Sequence, residues 1–334
     1  MRVLVLSTHE PTLAEPDAVV FQVEDALRRA GHDASRLEVG TDVAGLVRAL
    51  EGARPELVFN LTEGFGGKSA LDSNLAGLLN LLDLRYTGSS PSGLMLAGDK
   101  SLSKKVLGFH GLQTPDFATV YRGALDHADD LHFPLIVKPP QEDASIGVTT
   151  RSVVRDLKEL LQRIDELQSV YRSPVLVERF IDGREFYVGV LGNAHAEALP
   201  VIELDFTGFP SDLPRVASFD AKWAAGDADG SGPDAAPHPE YVGTRSIFPE
   251  DLDPDLATRM QQVAIDAFHA LRLRDYARID LRVTDTGEIY VIEVNPNCYL
   301  ERSGEFARAA ERAGMDHDAL IGRIVELAAG RYAP

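Results

Sequence analysis

The chain holds 334 residues, 44% of them apolar, with a formal charge of −19, which allows two or three packed domains and sets its field against nucleic acid and anionic membranes. A single cysteine, Cys298, excludes an internal disulfide and a cysteine-built zinc site, and no apolar run reaches transmembrane length. Met1-Arg2 leads straight into Val3-Leu4-Val5-Leu6 with His9 and Glu10 behind, a poor signal peptide, so a cytoplasmic location is expected.

Val3 to Leu6 reads as a buried parallel strand, and apolar positions 19, 20, 23, 26, 27 and 30 fall on one helical face closed by Gly31. A helical pattern over 42–52 precedes a second buried strand, Leu57 to Leu61, so the first 85 or so residues are expected to form a parallel α/β unit. No Gly-x-Gly-x-x-Gly follows the first strand, which removes support for a dinucleotide-binding turn. The glycine-rich run Thr62 to Lys68 leaves a strand end, the place where open α/β sheets take ligands, although an ordinary strand-to-helix turn would look the same. Tyr86 to Ser89 reads as a short strand and turn, and a helix follows through Asp99-Lys100 and Lys104, ending between Gly108 and Gly111. Lys100 and Lys104 lie one helical turn apart, as on a solvated face.

A second unit opens near Thr114-Pro115. The strand Phe133 to Pro139 is apolar except for Lys138, whose charge demands a nearby partner. A polar loop over 141–148 contains Ser145, and loop amides of this kind can cradle phosphate oxygens. A helix over 154–168, a strand Val175 to Glu178 and a further strand from Val188 to Leu191 complete that unit. Residues 224–240 are too rich in Ala, Gly, Asp and Pro to form a core and are expected to be a mobile loop. Helical patterns over 254–271 and 316–329 flank a hairpin made of Ala277 to Val283 and Ile289 to Asn297, joined by Asp285-Thr286-Gly287-Glu288. That hairpin sets Asp280 beside Glu293 and Asn295, with Arg278 sharing the face of Asp280. Three hard oxygen donors and an arginine on one face suit Mg²⁺ holding a polyphosphate, while a polar face with surface ion pairs is the plainer alternative.

At this point the residues resemble a known family. Arg-Ile-Asp at 278–280, Glu-x-Asn at 293–295 and the strand-ending Lys138 resemble the ATP-grasp ligases. Tyr86-Thr87-Gly88-Ser89, Asp99-Lys100, Lys104, Gly183-Arg184-Glu185-Phe186, Ala221-Lys222-Trp223 and Ala313-Gly314-Met315 are similar, in order, to the D-alanine–D-alanine ligase group within them. The resemblance implies a three-domain ATP-grasp architecture of mixed α/β and α+β class. Residues 1–112 would be a parallel α/β domain, 113–185 a small central α+β subdomain, and 186–334 an antiparallel-sheet subdomain with helices and a mobile loop over 224–245. ATP would sit between the second and third. By position, the resemblance implies Lys100 and Lys138 on the phosphates, Glu178 and the backbone of Ile181 at the adenine, Glu185 at the ribose, and Lys222 reaching in from the loop. It further implies Asp280, Glu293 and Asn295 around two Mg²⁺ ions, Arg278 and Ser145 at the reacting groups, and a homodimer.

The activity implied is ATP-dependent joining of a carboxylate to an amine through an acyl phosphate, with amino acids or amines as small-molecule partners. Where the group has Gly-Gly-x-Ser-x-Glu after the first strand, this chain has Ser7 to Thr12 with Glu10. Its His-Gly becomes Glu63-Gly64, a tyrosine after the loop lysine becomes Trp223, one of two phosphate-loop serines becomes Ala144, and a Ser-Leu pair becomes Gly304-Glu305. Glu10, Glu63, Trp223, Gly304 and Glu305 are therefore the candidate substrate residues, and the extra carboxylates point to a substrate with an additional amino or other cationic group instead of plain D-alanine. A true D-alanine–D-alanine ligase, another ATP-grasp reaction and a nucleotide-binding regulator without turnover are the alternatives. Cys298 lies near the metal residues but has no histidine partner in the pattern and reads as structural.

Overall fold

A computed structural model describes residues 1–8, 16–122, 124–142, 145–171, 174–218 and 243–332. Among these residues the strands form three sheets.

The first sheet is parallel. Strands β1 (Arg2–Thr8), β2 (Asp33–Val39) and β3 (Leu57–Leu61) lie in the order β2-β1-β3. Val3 to Leu6 and Leu57 to Phe59 are buried on both faces, as a parallel strand between helices requires. Helix α1 (Ala18–Arg29) starts where the Asp17 carboxylate accepts the Val19 N–H, and buries Val19, Val20, Val23, Ala26 and Leu27. Helix α2 (Val43–Ala53) returns the chain to β3. Tyr86 to Ser89 makes less than the expected strand: Tyr86 bridges to Val58 and Thr87 still bonds β3, but Gly88 and Ser89 turn away to Asp275 and Asn297. Helices α3 (Asp72–Leu81) and α4 (Pro91–Gly98) were not apparent in the sequence pattern. Helix α5 (Lys100–Phe109) begins at Asp99, whose carboxylate accepts the N–H groups of Ser101 and Leu102.

The second sheet is antiparallel. It contains β4 (Phe117–Tyr121), β5 (Ala124–Ala128), β6 (Leu135–Lys138), β7 (Val153–Val154) and β8 (Val175–Arg179), in the order β5-β4-β8-β6-β7. Helix α6 (Leu157–Tyr171) covers one face and inserts Leu167 against Leu135, Val137 and Val177.

The third sheet contains β9 (Arg184–Gly192), β10 (Ala196–Ala198), β11 (Ile202–Asp205), β12 (Arg245–Ile247), β13 (Asp275–Val283) and β14 (Ile289–Pro296). Its order is β12-β11-β9-β13-β14, with β10 added to β9. Because β9 opens at Arg184, we propose that the central unit ends just ahead of the expected 185/186 division. Likewise Arg245, expected in the loop, already belongs to β12. Alternation along β9 and β13 sends Phe186, Val188, Ile279 and Leu281 to one face, where helix α7 (Pro254–Ala270) packs Met260, Ala264 and Phe268 against them. Glu185, Tyr187, Arg278, Asp280 and Arg282 therefore share the opposite face. Helices α8 (Glu305–Arg312) and α9 (His317–Gly330) lie on that side toward its far end, where Phe306, Leu320 and Ile324 join Tyr276 in one core with Val3, Val5 and Phe59 of the parallel sheet. The site thus lies on the polar half of a sheet whose other half is sealed to its neighbours.

Candidate active site

The second and third sheets close on a cleft of about 720 Å³, open solvent included, whose walls carry Lys100, Lys138, Ile181, Glu185, Asp280 and Glu293. Ser145, Arg179, Phe180 and Arg282 also reach it. Lys138 sits there because β6 is apolar up to its last residue, and α5 brings Lys100 in at its first turn.

Lys100 and Lys104 are 5% and 2% exposed, so the solvated-face alternative is wrong for both. The Lys100 ammonium meets Glu293 Oε1 at 2.8 Å and donates to the Glu142 carbonyl at 2.6 Å. Glu178, 1% exposed, is gripped between two cations, with Lys104 Nζ 3.0 Å from Oε1 and Lys138 Nζ 3.0 Å from Oε2. Burial alone would raise the Glu178 carboxyl, but Lys104 and Lys138 outweigh it and hold the group below the usual carboxylate range. Burial pulls Lys104 down to about 8, against the opposing pull of Glu178. Glu178 therefore faces the cleft as a locked side chain, with Phe180 and Ile181 beside it.

Glu185 does not pair with Arg184, which instead takes Glu203 and Asp251. It accepts from Arg282 Nη2 at 2.7 Å and from the Tyr187 hydroxyl at 3.1 Å, while Arg282 also holds the Ile181 and Arg215 carbonyls. Gly183, just before it, approaches Val283 so closely that a Cβ would lie 2.2 Å from the Val283 carbonyl oxygen; at φ +158 only glycine is at ease there.

On the hairpin, Asp280 faces Glu293 and Arg278 faces Asn295 across the β13–β14 register, with a bulge just beyond Asp280. Arg278 forks onto Asp280, at 2.8 Å from Nε to Oδ1 and 2.9 Å from Nη2 to Oδ2, and stacks over the Tyr187 ring. Burial tends to lower the Arg278 guanidinium, but Asp280 dominates and keeps it charged well above its ordinary value. Among the described residues no group of three or more His, Cys, Asp or Glu is arranged around a metal position. The candidate donors are two carboxylates and the Asn295 amide, all hard oxygens, a set that fits Mg²⁺ and suits softer metals poorly. Buried lysines beside them supply the charge that a polyphosphate would need.

The remaining predicted residues scatter more. Ser145, in the left-handed region at φ +62, donates to the Ala217 carbonyl at 2.7 Å at the cleft edge. Glu63 is exposed, its N–H bonded to Thr8 Oγ1 at 2.9 Å, next to Gly64, whose Cβ would collide with the Lys68 carbonyl at 2.6 Å. Gly304 caps α8, and Glu305 opens it. One Glu305 oxygen accepts from Ser246 at 3.0 Å and the other lies 3.7 Å from Arg278 Nη1. Glu10, Lys222 and Trp223 lie outside the described residues. Lys104 and Arg282 are two charged site residues without an assigned role in the sequence; a lysine one turn after Lys100 and an arginine two after Asp280 were the available signals. Cys298 is buried, and burial pushes its thiol up to about 12.

Two antiparallel sheets closing on a cleft with buried lysines on one wall and an acidic hairpin on the other define an ATP-grasp ligase. The family model for the D-ala D-ala ligase C-terminus matches residues 106–326. A D-alanine–D-alanine ligase of Aquifex aeolicus is 30% identical over 97% of this chain and 100% of its own length. One of Syntrophotalea carbinolica is 32% identical over 91% of this chain and 88% of its own. An uncharacterized protein of Sinorhizobium fredii is 32% identical over 94% of this chain and 88% of its own. In fold, the crystal structure of the D-alanine–D-alanine ligase of Bacillus anthracis complexed with ATP superposes with a TM-score of 0.73 over 99% of this chain and 98% of that one, at 22% identity. The chain belongs to the D-alanine–D-alanine ligase family of ATP-grasp ligases. No helix among the described residues is long and apolar enough to cross a membrane.

Proposed function

We propose that this chain joins a carboxylate to an amine at the expense of ATP, through an acyl phosphate, on amino acids or related amines other than plain D-alanine. The observation that carries the reading is the convergence of Lys100 and Lys138 with Asp280 and Glu293 on one cleft, with Arg278 alongside. Lys100 and Lys138 would hold the phosphates as point charges, and Glu185, fixed by Arg282, would accept from the ribose hydroxyls. Mg²⁺, as two ions held by Asp280, Glu293 and Asn295, would offset the charge of the transferring phosphoryl group. A carboxylate oxygen of the donor attacks the γ-phosphorus, ADP leaves, and the amine then displaces phosphate from the acyl carbon. Arg278 is held rigid by Asp280 and Tyr187, so its charge meets the tetrahedral oxyanion without reorganisation. Ser145, Lys222 and Trp223 belong to the segments that would border the substrates.

Glu305 supports a substrate other than D-alanine. A second amino acid's carboxylate seeking Arg278 would come within reach of Glu305, and like charges at that distance repel. An acceptor with an extra amino group would instead gain an ion pair with Glu305. Release of ADP over a panel of paired amino acids and diamines, with Glu293→Gln as the blank, decides the reading. Turnover highest with a diamine or basic amino acid is expected. Brisk turnover with D-alanine alone would make the chain a D-alanine–D-alanine ligase, and no ADP with any pair would favour a nucleotide-binding regulator.

A further inference from the structure

We infer that Lys104 is a positioning residue of the nucleotide site, acting on both of its walls from behind them. Lys104 is absent from the cleft lining and sits one turn along α5 from Lys100, 2% exposed. Its ammonium reaches two different sheets. On the five-stranded side it meets Glu178 Oε1 at 3.0 Å, and the other Glu178 oxygen holds Lys138, which does line the cleft. On the six-stranded side it donates to the Ile292 carbonyl at 3.4 Å, the peptide that leads into Glu293. Glu293 in turn carries Lys100 at 2.8 Å.

A single cation from the helix between them therefore ties the lysine strand β6 to the acidic hairpin β13–β14. An apolar side chain of similar length would pack in this place without the cost of desolvating an ammonium, and buried ion pairs are poor sources of net stability. What the charge supplies is geometry. With Glu178 held at both ends, Lys138 keeps one direction, and the Ile292 peptide keeps Glu293 at a fixed depth opposite it. Without Lys104, Glu178 follows Lys138 alone, and the distance between the walls is no longer set at this point. The lowered affinity of Lys104 for its proton is the mark of the same burial.

This inference rests on the reading that the cleft takes ATP. The test uses the full chain and the β,γ-imido analogue of ATP with Mg²⁺, followed by calorimetry, beside steady-state KM values for ATP and for the amine. Lys104→Met should weaken analogue binding by about tenfold or more, the scale seen when a supporting partner of a site ligand is removed. The KM for ATP should rise with it while the KM for the amine stays put, and Lys104→Arg should recover most of the loss. Thermal melting of each variant separates this from general loosening, and Lys104→Gln serves if the methionine variant does not fold. Analogue affinity within twofold of the parent in a folded variant overturns the inference, as does an equal rise in both KM values. Failure of the parent chain itself to bind the analogue would instead overturn the ATP reading.

Discussion

Cys298 shows how far a residue's neighbourhood decides its chemistry. It lies three positions past Asn295 in the sequence, beside the proposed metal hairpin, yet burial pushes its thiol up to about 12. Reactivity follows the thiolate, so the native thiol should stay unmodified by iodoacetamide at pH 8 and become reactive only on denaturation or as the pH approaches that value. Mass spectrometry of the alkylated chain checks this; rapid native labelling at pH 8 would contradict the buried setting. The same dependence on neighbours explains which residue roles were legible in the sequence. Arg278, Asp280, Glu293 and Asn295 could be placed together because strand alternation and one tight hairpin bring them to one face. Lys138 could be flagged because a charge ending an apolar strand demands a partner. That the partner is Glu178, shared with Lys104, could not be read, since the three come from α5, β6 and β8 and meet only in the packed fold. For Glu185 the partner was hidden for a similar reason. Its partner across β9 and β13 is Arg282, directly opposite in register, which wins over the sequence neighbour Arg184 because adjacent strand residues point to opposite faces.

Elements with a strong period were legible, and short or mixed ones were not. Strand β3, helix α1 and helix α7 repeat apolar residues at the spacing of their own geometry, and each appears close to where that spacing puts it. Helix α4 spans eight residues with two glycines, which gives it little propensity of its own. It forms because Ser90 caps Gly93, Pro91 pre-sets the first turn, and Leu94 and Ala97 are buried. Helix α8 is equally short, and its alanines bury only because Phe306 docks onto Tyr276. Glu305 reaches Arg278 through that docking, which no local pattern carries. The three sheets also differ in how they are supported. Strands β4, β6, β8, β9 and β13 are all paired on both edges, but β9 and β13 share cores with α7 and with the parallel sheet, whereas β4, β6 and β8 rest on a smaller core of their own. Amides of β4, β6 and β8 should therefore exchange with deuterium sooner than those of β9 and β13, and nucleotide should slow them selectively. Equal protection of both sheets, unchanged by nucleotide, would show that the five-stranded sheet is not the looser wall of the cleft.

For the whole molecule, a charge of −19 and an anionic co-substrate are compatible because the cations are concentrated where they are needed. Lys100, Lys104 and Lys138 converge from a helix and a strand around Glu178 and Glu293, so the local field of the cleft differs from that of the surface. That a parallel sheet comes first and antiparallel strands follow was legible in the succession of strand and helix periods. The substrate was not, because the candidate substrate residues Glu10 and Trp223 lie in stretches whose sequence carries no period. The central claim is that the donor carboxylate is activated by phosphorylation before the amine attacks. Transfer of ¹⁸O from a labelled donor carboxylate tests it directly. With the amine pair that gives the highest ADP release, mass spectrometry of the liberated phosphate should find one ¹⁸O per phosphate. Unlabelled phosphate, formed by water attack on ATP, would contradict the acyl phosphate and with it the assignment of this cleft to carboxylate–amine ligation.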